Sequence, residues 1–172
     1  GECPQFVHCR RWIMQPGTAQ NPPVAFTGQA TNIAMMNPGY ANTNKIRPTG
    51  PVDTAVTVLS VQTADGKPLA LLANYSTHYA GVSEPGLSAD YFGEFCRVMA
   101  KELGVEEGKP FVALMSNGTS GDANCVDFTK PNWKNDRFMV SRAVADAALA
   151  ALKEARYQDW APLAMAERKF SF

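Results

Sequence analysis

The stretch LALLANYSTHYAGVSEPGLSAD, from Leu69 to Asp90, decides the fold of this 172-residue chain. Its first part, Leu69 to Tyr75, is short and almost wholly apolar and follows the turn residues Gly66 to Pro68, so it is predicted to be a buried strand. His78 comes directly after this strand, before a loop rich in Gly, Pro and Ser. A histidine at a strand end is held rigidly beside a loop that leaves room for a ligand. We therefore take His78 as a candidate functional residue, although a lone histidine is more often structural.

A second stretch, FVALMSNGTSGDAN, runs from Phe111 to Asn124. Phe111 to Met115 is predicted to be another short apolar strand, and a turn of small polar residues follows it. Its two glycines permit backbone angles closed to other residues, so main-chain N–H groups can converge on one point. Such a turn can bind an anion or a developing oxyanion, and an ordinary Asn-Gly loop is the simpler alternative. The turn residues are Ser116, Asn117, Gly118, Thr119, Ser120, Gly121, Asp122 and Asn124.

Composition is that of a globular protein with one sizeable core. The chain is 45% apolar and 19% charged, with 16 basic and 16 acidic side chains, which argues against disorder and against a nucleic-acid partner. No apolar run approaches the roughly 20 residues of a membrane span, and the N-terminus has no signal-peptide pattern. Because the chain lacks an initiator methionine and stops inside a predicted strand, we expect it to be part of a longer protein.

Two further strands are predicted from alternating apolar residues. Ala55 to Thr63 is rich in β-branched residues, and with Ala64 to Lys67 as the turn it pairs with Leu69 to Tyr75 as a hairpin. Leu163 to Phe172 alternates in the same way and is predicted to be a strand.

Two helices complete the pattern. The first is predicted from an N-cap at Ser88, with Asp90 in its first turn, to Gly104, and the second from Asp136 to Arg156. The order irregular, β, β, α, β, α, β indicates a layered α/β domain, a mixed sheet with flanking helices, whose His78 and Asn117 loops lie at one edge. The apolar stripes comprise Phe92, Phe95, Cys96, Met99 and Leu103 in the first helix, and Phe138, Val140, Val144, Ala147, Ala148, Ala151 and Leu152 in the second.

Residues 1 to 53 contain seven prolines and are predicted to be irregular, wrapping over the surface rather than building the core. Within them, Phe6 to Met14 is a candidate edge strand with two adjacent arginines. Adjacent side chains on a strand face opposite ways, so only one of Arg10 and Arg11 can point into a given site. A buried arginine there would bind a carboxylate or carbonyl, whereas a solvated pair would have no such role.

The cysteines and histidines do not form a complete zinc motif. No C-x-x-C pair occurs, and the only two histidines are His8 and His78. Cys3 and Cys9 could pair in an oxidising compartment, but free, partly buried thiols are the commoner outcome. The four cysteines are Cys3, Cys9, Cys96 and Cys125.

The segments ANYSTHYAGVSEPGLSADYFGEF and MSNGTSGDAN resemble the N-terminal catalytic domain of the neutral/alkaline non-lysosomal ceramidase family. The order of motifs agrees over most of the chain, from the Arg10 segment and the Asp53 turn to the strand ending in His78, the Ser-Ala-Asp helix start and the Gly-Asp turn. The resemblance implies an α/β domain in which a zinc ion drives hydrolysis of the N-acyl bond of ceramide to sphingosine and a fatty acid.

The resemblance also assigns roles. The family's zinc-binding histidine, in an N-Y/F-x-x-H-P strand end, matches His78, and Tyr79 stands where the family has proline. The active-site arginine of its N-R-S-P segment matches Arg10, with Cys9 in place of the asparagine. Its G-D-V-S turn matches Gly-Asp-Ala-Asn here, so Asn124 stands at the position of a serine implicated in catalysis. The other family ligands, a histidine, a glutamate and a tyrosine, are expected outside these 172 residues.

Asn124 cannot act as a nucleophile, so this interpretation requires attack by a zinc-bound water. His78 is then a metal ligand, Arg10 orients the substrate, and Asn124 donates to the carbonyl or oxyanion. Asp122 is grouped with the catalytic residues, and Asn117 to Gly121 with the substrate-binding ones. The resemblance implies a sphingolipid substrate, while another N-acyl lipid or a different ester or amide stays open. It also implies peripheral membrane contact and a secreted or periplasmic location.

Two alternatives stay open. A catalytically degenerate binding or scaffold domain is favoured by Asn124 at the serine position. A serine hydrolase using Ser120 is disfavoured, because the sequence around it lacks the G-x-S-x-G spacing and only His8 and His78 could act as its base.

Overall fold

The structure, a computed structural model, describes residues 1–81 and 86–171. Part of the predicted loop between His78 and Asp90, and the last residue of the predicted C-terminal strand, lie outside the described residues. A short 3₁₀ helix (Pro4–Phe6) comes first. The other elements are β1 (His8–Cys9), β2 (Arg11–Met14), β3 (Ala34–Met36), β4 (Lys45–Pro48), β5 (Val56–Gln62), β6 (Pro68–Tyr75), α1 (Asp90–Glu102), β7 (Val112–Asn117), β8 (Ala123–Asn124) and α2 (Arg137–Glu154).

The main sheet has three strands in the order β5-β6-β7. β5 and β6 form the predicted antiparallel hairpin, with Val56 opposite Tyr75. β7 pairs with β6 in parallel, so that Tyr75 lies opposite Asn117 and the two strands end together. The three predicted strands are confirmed with small shifts at their ends.

Both helices pack against the main sheet, α1 on β7 and α2 on β5, and against each other. This layered α/β arrangement confirms the predicted fold class. Asp136 caps α2, since its side chain accepts a hydrogen bond from Met139 N at 2.8 Å. The core is formed by inward-facing residues that include Leu71, Ala73 and Tyr75 of β6, Tyr91, Phe95 and Met99 of α1, and Val140, Val144 and Ala148 of α2.

Two details of the predicted helices are wrong. Ser88 is not the N-cap of α1; Ala89 is, and the Ser88 Oγ instead accepts a hydrogen bond from Asp90 N at 3.0 Å. Phe138 is 56% exposed, whereas Val140, two residues later in the predicted stripe, is fully buried.

The prediction that residues 1 to 53 only wrap over the surface is also wrong. Cys3, Phe6 and Val7 are buried in the main core, and the Tyr75 hydroxyl donates to Cys3 O at 2.6 Å. Prolines prevent long regular elements but do not prevent the apolar side chains between them from inserting into a core. The candidate edge strand is split into β1 and β2, and β2 is the central strand of a second sheet, β3-β2-β4.

The predicted strand from Leu163 to Phe172 is not formed: residues 155–171 contain no strand, and Leu163 is 96% exposed. Alternation shows only that one face could be buried, and a strand also needs a neighbour to pair with.

All four cysteines are free thiols, so Cys3 and Cys9 are not joined. Within the described residues, neither helix is long and apolar enough to span a membrane.

Candidate functional site

The candidate site lies where β6 and β7 end. Two backbone hydrogen bonds join the loops that leave these strands: Gly118 N donates to Tyr75 O at 3.0 Å, and His78 N donates to Ala123 O at 3.3 Å. The His78 loop and the loop after Asn117 therefore lie at the same edge, as the sequence predicted.

Arg10 joins this edge through the N-terminal segment. β1 pairs with β8, which places Arg10 N within 2.7 Å of its acceptor, Asp122 O. The guanidinium donates from Nε and Nη2 to Gly121 O at 3.2 and 2.9 Å. Arg11 is exposed on β2, so only one of the two arginines faces the turn. Arg10 Nη1 has no hydrogen-bond partner in the described part of the chain, which leaves it able to bind a ligand.

His78 is half-buried at the edge, and its ring packs on Tyr79 with the centroids 4.3 Å apart. Burial lowers the pKa of His78 below its usual 6.5, and the nearby positive charge of Arg10 lowers it further. The imidazole is therefore neutral at pH 7, which is the form that ligates a metal or accepts a proton.

Asn124 is 8% exposed, and its amide is held from two sides. Its Oδ1 accepts from Val126 N at 3.0 Å, and its Nδ2 donates to Asn37 Oδ1 at 3.4 Å. Because Oδ1 already accepts a hydrogen bond, the second N–H of the Asn124 amide is the group that can donate a hydrogen bond to a substrate. The contact with Asn37 was not foreseen, since no sequence rule links residues 87 positions apart.

The remaining turn residues offer small polar groups. Asn117 and Thr119 are exposed, and Ser120 and Asp122 are half-buried. Asp122 contributes its carbonyl to Arg10 N, as described above. The side chains of these four residues make no hydrogen bonds with the described part of the chain.

Gly118 is required by a close approach of the two loops. A Cβ at this position would lie 2.3 Å from Ser76 Oγ and 3.0 Å from Asn74 Oδ1. The Ser76 hydroxyl cannot move away freely, because it donates to Asp53 Oδ2 at 3.0 Å. Gly121 has nothing within 4 Å of the corresponding position.

Asp90 holds the loop after His78, a role that the sequence analysis missed. Its carboxylate accepts from the backbone N–H groups of Ala80, Gly81 and Tyr91 at 2.9, 2.8 and 2.7 Å. Asp90 is buried and has a φ of 50°. From the local sequence, Asp90 is identified only as an acidic residue in the first turn of a helix. Its contacts with the loop could not be predicted, because two of its partners lie nine and ten residues earlier in the chain.

The donors of this edge do not complete a zinc site. A zinc ion usually takes three or four protein ligands, and the described residues contain no group of three or more His, Cys, Asp or Glu side chains that could hold a metal. His78 fits as one neutral nitrogen donor. A zinc site here would need further donors from outside the described residues.

An apolar hollow adjoins the His78 loop. It has a volume of about 590 Å³, within the range of small-molecule sites. Its described lining includes Tyr79, Leu87 and Phe92. Gly81, Gly86, Ser88, Ala89 and Asp90 complete the described lining, and its apolar side chains can contact a hydrocarbon chain.

Comparisons of the chain with protein-family models, with curated proteins and with solved structures found no match. The ceramidase resemblance therefore stays a prediction that rests on the motifs quoted above.

The two glycines of the turn should respond differently to the same substitution. Gly118→Ala should lower the free energy of unfolding by about 1–3 kcal/mol, because its Cβ would displace Ser76. Gly121→Ala should change it by less than about 0.5 kcal/mol. Urea unfolding of both variants tests this, and equal losses would contradict the close approach.

Asp90→Asn should destabilise the protein by about 1–3 kcal/mol, because an amide NH₂ would replace one acceptor facing partly buried N–H groups. Asn tolerates the positive φ, so the loss would come from the hydrogen bonds. Asp159→Asn, at an exposed position, is the matched control and should be neutral. Thermal and urea unfolding measure both variants. If Asp90→Asn leaves the free energy of unfolding unchanged, Asp90 does not hold the loop after His78.

His78 should titrate below pH 6.5 in an NMR titration of the ring. Because the folded state then binds the proton less readily than the unfolded state, the stability linked to His78 is full above about pH 6.5 and is lost as the pH falls to the folded pKa. Arg10→Gln should move the midpoint upward, while Arg11→Gln should not. A wild-type midpoint at or above 6.5 would contradict the described environment.

Proposed function

We propose that this chain is part of a zinc-dependent amide hydrolase that acts on an N-acyl lipid in the manner of a ceramidase, converting N-acylsphingosine to sphingosine and a fatty acid. The observation that supports this most is the meeting of three separately identified segments at one edge. Arg10 donates to Gly121 O, and His78 N donates to Ala123 O, within the turn that carries Asn124.

Each residue has a role consistent with this chemistry. His78 offers a neutral ring nitrogen to the metal, and Arg10 brings a positive charge and a free Nη1 beside the turn. The second N–H of Asn124 is available to a carbonyl oxygen, whose developing charge a positioned donor stabilises. Zinc, when bound with further donors, would supply the Lewis acidity that amide hydrolysis needs.

The apolar hollow beside His78 supports a lipid as the substrate class, since Tyr79, Leu87 and Phe92 can contact an acyl chain. Exposed Tyr79 and Leu87 would also suit contact with a membrane surface, from which such a lipid is drawn. A secreted or periplasmic location belongs to the same proposal.

A binding domain without catalysis is the second candidate. It is favoured by Asn124, which stands where the resembling family has serine and which carries no nucleophile. Ser120 is a poorer substitute, because it makes no hydrogen bond to a histidine within the described residues.

The two histidines provide a matched test in the intact protein supplied with zinc. His78→Ala should lower bound zinc and reduce hydrolysis of N-hexanoylsphingosine to background. His8→Ala should leave both near wild type, because the His8 ring packs on Trp133 and its Nε2 bonds to Gln5 O. Elemental analysis and product release measure the two effects.

Three outcomes separate the candidates. Zinc and turnover that fall together in His78→Ala support the hydrolase. Binding of the lipid without turnover by zinc-loaded wild type favours the binding domain. Full activity of His78→Ala would contradict the proposal.

A further inference from the structure

Asn37 has an unusual backbone conformation next to the site. It follows β3 with a φ of 53°, and Asp90 is the only other described non-glycine residue with a positive φ. Asn tolerates this conformation, but a residue before proline is normally extended, and Pro38 follows. The backbone is held by a hydrogen bond from Asn37 N to Arg10 O at 2.7 Å. Strain of this kind concentrates at functional sites.

The Asn37 side chain contacts Asn124, in the turn that follows β7. Its Oδ1 accepts a long hydrogen bond from Asn124 Nδ2 at 3.4 Å. Asn37 is exposed, and its own Nδ2 makes no hydrogen bond within residues 1–81 and 86–171. Asn37 therefore presents a free N–H donor beside Asn124.

These contacts join Asn37 to the Arg10 segment and to the turn that carries Asn124. Arg10 donates to Asp122 O and Gly121 O, Asn37 N donates to Arg10 O, and Asn124 donates to Asn37 Oδ1. Asn37 is therefore fixed through its backbone to the arginine and through its side chain to the turn.

We propose that Asn37 is a substrate-binding residue of this site, whose free Nδ2–H donates to an oxygen atom of an N-acyl amino alcohol beside the scissile amide. This inference rests on the hydrolase function proposed above. A donor that contacts the substrate equally before and during the reaction lowers KM and leaves kcat unchanged.

Asn37→Gly tests the side chain without disturbing the backbone, since glycine adopts the same φ without strain. With N-hexanoylsphingosine and the intact, zinc-supplied protein, KM should rise about five- to tenfold, as expected for one lost hydrogen bond. The variant also loses the long contact to Asn124, but Val126 N still holds the Asn124 amide at 3.0 Å, so kcat should stay within about twofold. Asn42→Gly is the matched control. Asn42 donates to Pro38 O at 3.0 Å in the same loop, and its loss should leave KM unchanged.

A second readout does not depend on turnover. In protein labelled with ¹⁵N-asparagine, the side-chain amide signal of Asn37, assigned by its absence from Asn37→Gly, should shift when N-hexanoylsphingosine is added. If wild type binds or hydrolyses the lipid while this signal stays in place and Asn37→Gly keeps the wild-type KM, the role of Asn37 is overturned and the proposed function stands. If wild type neither binds nor hydrolyses the lipid, the proposed function fails and the inference fails with it.

Discussion

The parallel pairing of β6 with β7 is the constraint on which the candidate site depends. It places Tyr75 opposite Asn117, so the loops that carry His78 and the glycine turn leave the same edge of the sheet. A shift of one residue in this register would turn the side chains of β7 to the other face. It would also separate Gly118 N from Tyr75 O, the hydrogen bond that closes the two loops on each other.

Two residues with strained backbones hold the loops at this strand edge in place. Asp90 and Asn37 are the described non-glycine residues with positive φ, and each is tied to a predicted site segment. Asp90 binds the backbone just after His78, while Asn37 binds the backbone of Arg10. Such conformations persist only where neighbouring contacts hold them, and here the contacts are with the segments that carry His78 and Arg10.

The elements that the sequence predicted well are those defined by neighbours in the chain. The hairpin of β5 and β6 follows from alternation and an Asp-Gly turn, and α2 follows from its apolar stripe and its Asp136 cap. The N-terminal segment and the C-terminal alternation were misjudged because burial and pairing depend on distant partners. For the same reason no local pattern predicts that Arg10 contacts Gly121, 111 residues away, and only the family resemblance placed the two segments in one site.

Zinc-edge anomalous diffraction from crystals of the intact protein grown with zinc tests directly whether this strand edge carries a metal-dependent site. We expect an anomalous peak about 2.0–2.1 Å from a ring nitrogen of His78, the usual zinc–histidine distance, with the Arg10 guanidinium still bonded to Gly121 O. A peak at other residues, or a His78 ring without a peak in crystals that contain zinc, would contradict it.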